Sequence, residues 1–306
     1  MSQLTGILPI IATPFTADGQ LDEASLDKLV RHLGAIGCHG VTGFGIASEF
    51  YKLSDAERVT SAEIIIAAAR ASSVPSILSV TDHATVTAVA TAKRWQAMGA
   101  DALMLLPPYF LKPGAAAIAA HIRAVAAAVD IPVVLQYAPE QTGVAIAPEV
   151  FIDIVKDHPN AAWLKVECKP PGSYINRLMD LADGGLTVHV GNAGLNMVEC
   201  HQRGARGVMP GCSLSELYLQ SWNCLEAGNR TGATDIHDRL VSVLNHIRQN
   251  VEMIIAFEKH ILMRRGVIPC DHCRAPSFQA DGIDKELFEH LYARIEPLFH
   301  AAGASA

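Results

Sequence analysis

The feature that most constrains this chain is a unit that recurs eight times: a short apolar run rich in Val, Ile and Leu, a loop, then an amphipathic helical stretch. The runs lie at 7–12, 39–43, 75–80, 101–106, 131–136, 161–167, 186–191 and 206–210. Strands buried on both faces read as continuous apolar runs, and their alternation with helices marks parallel βαβ units. Eight such units over roughly 220 residues fit a closed (β/α)8 TIM barrel better than an open doubly wound sheet.

The helical partners fall at 23–36, 54–71, 85–98, 114–129, 147–156, 173–182, 194–203 and 213–226. Ser54, Thr85, Ser173 and Ser213 stand where a hydroxyl caps a helix N-terminus. After residue 228 no strand signal returns, and 232–249, 251–265 and 284–299 read as three helices followed by a small-residue tail. The expected organisation is a barrel over 1–228 and a C-terminal helical annex over 229–306. No Gly/Ser linker separates them, so the annex docks directly.

Composition narrows the class of function. Half of the 306 residues are hydrophobic and 18% are charged, enough to bury one large core. The formal net charge is -7 and no Lys/Arg run forms a basic stripe, so nucleic acid is not an expected partner. The N-terminus has no leader signature and no apolar run is long enough to span a membrane, which predicts a cytoplasmic protein with no membrane partner. Seven scattered cysteines read as free thiols. Cys270-Asp-His-Cys273 is half of a zinc site at most, with no second ligand pair at the usual spacing, so a surface loop is expected there.

In a barrel of this kind the reactive groups lie at the C-terminal ends of the strands and in the loops after them. One residue there stands out. Lys165 lies inside the apolar run Ala161-Ala-Trp-Leu-Lys-Val-Glu167, where burying an ammonium group is costly. It reads either as half of an ion pair with Glu167 or as an amine that attacks a carbonyl, because desolvation lowers a lysine pKa. Residues two apart on a strand share a face, so Trp163, Lys165 and Glu167 point one way. His39, His83 and His189 lie on or near strands and read as structural, and Cys168 and Cys212 have no paired His signature.

The order of several motifs adds to this. GILPIIATPFTADGQLD comes first, then a Gly-containing segment ending in Ser48-Glu49-Phe50, then GADALMLLPPYF, YAPEQTG and the strand lysine. Together they resemble the dihydrodipicolinate synthase / N-acetylneuraminate lyase family of class I aldolases, over essentially the whole chain. The resemblance implies a (β/α)8 barrel, a homo-oligomer (dimer or tetramer), an imine-forming lysine at Lys165 and a small 2-oxo acid substrate. It implies no metal or organic cofactor.

The departures from the family pattern bear on the reaction. The synthase's Gly-Thr-Thr-Gly-Glu stands here as Gly45-Ile46-Ala47-Ser48-Glu49, and its Pro-Tyr-Tyr as Pro108-Tyr109-Phe110. Its catalytic tyrosine is replaced by Gln136 and its carboxylate-binding arginine by Gln141. Ile46, Gln136 and Phe110 cannot relay a proton, which leaves Glu167 as the carboxylate on the lysine's own strand face. Gln136 before Ala-Pro, Lys165-x-Glu167 and Ser48-Glu49 resemble the branch that includes L-2-keto-3-deoxyarabonate dehydratase. The implied catalytic set is Lys165, Glu167 and Gln136, with Ala47, Ser48, Tyr109, Phe110, Gly191 and Asn192 binding substrate. The expected reaction is dehydration of a 2-keto-3-deoxy sugar acid. A pyruvate-releasing aldolase, a dihydrodipicolinate synthase and a non-catalytic 2-oxo acid binder are the alternatives.

Overall fold

The computed structural model describes residues 4–301. Eight short strands alternate with helices: β1 (Gly6–Ile7), β2 (Val41–Gly43), β3 (Ser76–Val80), β4 (Ala102–Leu105), β5 (Val133–Tyr137), β6 (Trp163–Val166), β7 (Thr187–Val190) and β8 (Gly207–Val208). The α-helices are α1 (Glu23–Ala35), α2 (Asp55–Ala71), α3 (Thr85–Met98), α4 (Ala115–Ala126), α5 (Pro139–Thr142), α6 (Pro148–Asp157), α7 (Gly172–Ala182), α8 (Met197–Gln202) and α9 (Ser215–Glu226). Four more follow: α10 (Arg230–Ile247), α11 (Val251–Arg264), α12 (Gly282–Tyr292) and α13 (Glu296–Ala301). The described residues fold as two compact units, 4–8 with 75–209 and 9–74 with 210–301.

The first unit carries β1, β3 to β8 and α3 to α8. Its strands run in the order β1-β8-β7-β6-β5-β4-β3, parallel throughout. Ile77, Leu78, Leu103, Val133, Val134, Leu164 and Val188 are fully buried, as expected of strands covered on both faces. The register sets Gln136 beside Lys165 and Lys165 beside His189, so three polar side chains share one row across β5, β6 and β7.

The second unit carries β2, α1, α2 and α9 to α13. Ile10 bridges Thr42 on one side and Gly211 on the other. Helix α1 packs on α2, and α9 and α12 both pack on α10. Leu29, Val30, Leu33, Leu217, Leu240, Val243 and Leu244 supply the buried apolar stripes.

Several expected boundaries move for identifiable reasons. The run 7–12 gives a ladder only at Gly6–Ile7, because Pro9 has no N–H to donate, although its carbonyl accepts from Thr42 N. The helix expected over 284–299 is two helices, since Pro297 in its interior would clash with the carbonyl of Ala293; Pro297 instead sits at the start of α13. The helix expected over 194–203 begins at Met197, after Asn192 and Ala193 take positive φ.

Ser54 caps α2 in a full capping box with Glu57. The other three hydroxyls do not cap. Thr85 is the first residue of α3 and its hydroxyl pairs with His121 Nδ1 at 3.0 Å. Ser173 lies inside α7, and the Ser213 N–H is taken by the buried Glu258 carboxylate at 2.8 Å, so α9 begins two residues later. The small-residue tail lies outside the described residues.

Candidate active site

In the first unit β6 presents Lys165, and Glu167 follows one residue past its end. The side chains are 3% and 7% exposed as residues, and Lys165 Nζ lies 3.2 Å from Glu167 Oε1. This is the juxtaposition that a two-residue spacing on one strand face predicts. A buried ion pair carries a desolvation cost that its attraction offsets only when further hydrogen bonds complete it, and here they do. Gln136 Nε2 donates to Glu167 Oε2 at 2.9 Å, and the Asn192 backbone N–H donates to Oε1 at 3.4 Å. Asn192 Nδ2 also donates to the Glu167 carbonyl at 2.7 Å, which fixes the backbone under the carboxyl.

The amide of Gln136 is oriented by this contact. A carboxylate only accepts, so the NH2 group must face Glu167 and the carbonyl end must turn away. Gln136 is 2% exposed, and its Oε1 has no partner among the described residues. Burying an acceptor without a donor costs about 1–3 kcal/mol, so this oxygen can accept from a hydroxyl or a water.

Gly191 contributes by what it lacks. A Cβ there would stand 2.1 Å from Glu167 Cγ and 2.5 Å from Oε1, so the carboxyl occupies the volume of the missing side chain. The residue sequence reasoning assigned to substrate contact is thus a neighbour of the carboxylate. Asn192 and Ala193 both take positive φ, 51° and 53°, which turns the chain so that the Asn192 N–H and its side chain both face Glu167.

His189, next in the same row, is fully buried, and its Nε2 pairs with the Leu4 carbonyl at 2.8 Å. Burial pushes its pKa down to about 4, and the neighbouring Lys165 charge acts in the same direction. It is a neutral packing histidine, as its sequence setting suggested. Tyr137 stacks on Tyr174 at 4.5 Å and meets Phe151 edge-on, so it faces the helices. Tyr109 and Phe110 follow β4, where His83 packs edge-on against both at 4.6 and 6.3 Å. Among the described residues no hydrogen bond ties either to the Lys165–Glu167 cluster.

The second unit holds Ala47 and Ser48 in a 3-10 turn, Ile46–Ser48. The Ser48 hydroxyl donates to the Gly45 carbonyl at 2.7 Å, and its own carbonyl accepts from Thr13 Oγ1 at 2.6 Å. Gly45 has no room for a Cβ, which would meet Ile10 at 2.7 Å. Glu49 follows with φ 58° and is 0% exposed. It is held by the equally buried Lys259, by Lys52 at 3.1 Å and by the Arg274 backbone N–H at 3.1 Å. Sequence reading missed this network. Lys259 sits in the apolar helix α11, an oddity that was visible, but its partner is 210 positions away. Among the described residues no group of three or more His, Cys, Asp or Glu is placed to hold a metal. Cys270 and Cys273 are free thiols in a loop.

Residues 3–293 match the sequence model of the dihydrodipicolinate synthetase family. A 4-hydroxy-tetrahydrodipicolinate synthase of Methanothrix thermoacetophila is 31% identical over 78% of this chain and 80% of its own. The same enzyme of Exiguobacterium sibiricum is 32% identical over 80% and 83%. A solved dihydrodipicolinate synthase of Rhodopseudomonas palustris aligns with a TM-score of 0.89 at 28% identity, over 96% of this chain and 98% of that one. With its eight parallel strands, interleaved helices and further C-terminal helices, the chain is an enzyme of the lyase class built on a (β/α)8 TIM barrel. It belongs to the dihydrodipicolinate synthetase family.

Proposed function

We propose that this enzyme dehydrates a 2-keto-3-deoxy sugar acid through an imine on Lys165, as an L-2-keto-3-deoxyarabonate dehydratase-like lyase. The observation that carries the reading is the Glu167 carboxyl, fixed 3.2 Å from Lys165 Nζ by Gln136 and Asn192. The Lys165 ammonium gives up a proton to solvent, and the neutral amine attacks the C2 carbonyl. The carbinolamine oxygen leaves as water, taking a proton back from solvent, and a cationic imine remains. The imine acidifies C3. Glu167 removes a C3 proton and returns it to the C4 oxygen, which departs as water and leaves a C3–C4 double bond conjugated with the imine. Hydrolysis then restores the lysine amine.

Gln136 holds Glu167 in place and offers its unpaired Oε1 to a substrate hydroxyl or water. Gly191 and Asn192 shape the carboxylate's seat, while Ala47, Ser48, Tyr109 and Phe110 keep the substrate-binding role that their motif positions suggest. No cofactor enters the scheme. The free thiols fit a reducing compartment, the cytoplasm. Phe110 and Leu111, 76% and 84% exposed, form an apolar tip that suits contact with a second copy.

The names of the curated relatives favour a second reading, condensation of pyruvate with aspartate semialdehyde. Gln141 speaks against it, because it cannot offer a carboxylate the bidentate cation that an arginine supplies. Borohydride with pyruvate is expected to fix one adduct on Lys165; an adduct elsewhere rules out the imine. Glu167→Gln keeps the shape but accepts no proton, so trapping should persist while dehydration of 2-keto-3-deoxyarabonate slows by roughly a hundredfold or more. Dehydration at the wild-type rate in that variant sinks the proposal. Robust condensation with aspartate semialdehyde, read through a coupled reductase, establishes the second reading instead.

A further inference from the structure

The C-terminal helices of the second unit border a half-open cavity of about 440 Å³, within the range of small-molecule sites. Its apolar wall is three rings: Phe257 of α11, Phe278 of the loop that follows, and Phe288 of α12. Phe257 lies 4.8 Å from Phe288 and 6.4 Å from Phe278, ring centre to ring centre. The polar part of the lining is not balanced. Asp271 is engaged by His260 Nδ1 at 2.9 Å, and Glu289 by Arg264. Lys285 on α12 has no ion-pair or ammonium hydrogen-bond partner among the described residues. Each acid already accepts from a partner and Lys285 has none, so Lys285 is the lining group open to an anion.

The loop that lines this cavity also holds the turn after β2. The His272 carbonyl accepts from Lys259 Nζ at 2.9 Å, and the Arg274 backbone N–H donates to Glu49 at 3.1 Å. Lys259 itself pairs with Glu49, the residue after Ser48, and α11 packs on the Ile46–Ser48 turn. Residues 271–273 therefore line the cavity, while His272 and Arg274 hold the anchor of that turn.

We infer that this cavity binds a small organic anion with an aromatic or branched apolar body, carboxylate toward Lys285 and body against the three rings, and that occupancy steadies the Ile46–Ser48 turn. The inference is independent of the reaction proposed for Lys165. A suitable probe is 3-phenylpropionate, which has the carboxylate and the ring but no oxo group, and so forms no imine. Calorimetric titration is expected to show one saturable site at millimolar concentration or below. Ala280→Trp, which fills the cavity from its lining, should abolish it, and Lys285→Met should weaken it by about tenfold or more, the loss of a charge-assisted contact. Lys285 is exposed, so its variant folds even where the tryptophan variant does not. Absence of saturation, or the same isotherm for Lys285→Met as for the wild type, overturns the site. Amide exchange over residues 45–52 should slow when the probe is bound; unchanged exchange there, with binding intact, overturns the link to the turn.

Discussion

Glu167 is placed by four neighbours of different kinds, and each can be removed separately. Lys165 supplies charge, Gln136 and Asn192 supply donors, and Gly191 supplies space. Gly191→Ala puts a methyl 2.1 Å from the Glu167 Cγ position, so the carboxyl must shift. Since Lys165 is untouched, borohydride trapping of pyruvate should stay near the wild-type level while turnover falls by roughly a hundredfold, a misplacement effect. Equal losses in both assays contradict that assignment. His189 gives a pH prediction. Its folded pKa of about 4 lies below the ordinary value of 6.5, so between those values the unfolded chain binds more protons than the folded one. Stability is full above pH 6.5 and declines toward pH 4, by about 3 kcal/mol in all. Urea unfolding of His189→Gln across this range should show a flatter acid limb than the wild type. The pairing of Lys165 with Glu167 was legible in the sequence because a strand has a period of two. The role of Gly191 was not, because a glycine is silent about which side chain fills its place.

At the scale of elements, the join between α11 and the turn after β2 rests on a buried charge pair, Lys259 and Glu49, both fully enclosed. Lys259→Met removes one partner and leaves Glu49 to Lys52 and one backbone N–H, at a cost of about 3 kcal/mol. The double change with Glu49→Gln should recover part of that loss in urea titrations; a double variant less stable than the sum of the singles contradicts a direct coupling. The loop after β4 yields another test. Phe110→Asp with Leu111→Asp is expected to lower the assembly state measured by sedimentation, without unfolding, since both side chains are exposed. An unchanged sedimentation coefficient removes this loop from any interface. Element types were readable from the apolar runs, and α1 to α4 fall within three residues of expectation. Capping was legible at Ser54, whose box with Glu57 is local, but not at Thr85 and Ser213, which are engaged with His121 and Glu258, distant partners that no local window contains.

For the molecule as a whole, the division into a barrel over 1–228 and an annex over 229–306 is a proposal with a direct test. Residues after 229 supply Lys259 to Glu49, Arg265 to Glu216 and Arg274 to Glu57, and Glu258 to the Ser213 N–H. A chain ending at residue 228 should therefore fail to give a cooperative thermal transition, however soluble it is made by fusion. A sharp transition from that fragment shows the annex to be dispensable. One pairing also bears on how the chain is made. Strand β1 at Gly6–Ile7 finds its ladder in β8 at Gly207–Val208, about 200 residues later. At synthesis rates of about 5–20 residues per second, the first strand waits roughly 10–40 s on the ribosome for its partner to be translated. Through that interval Ile7 and Leu8, fully buried at the end, are open to solvent or to a holding chaperone.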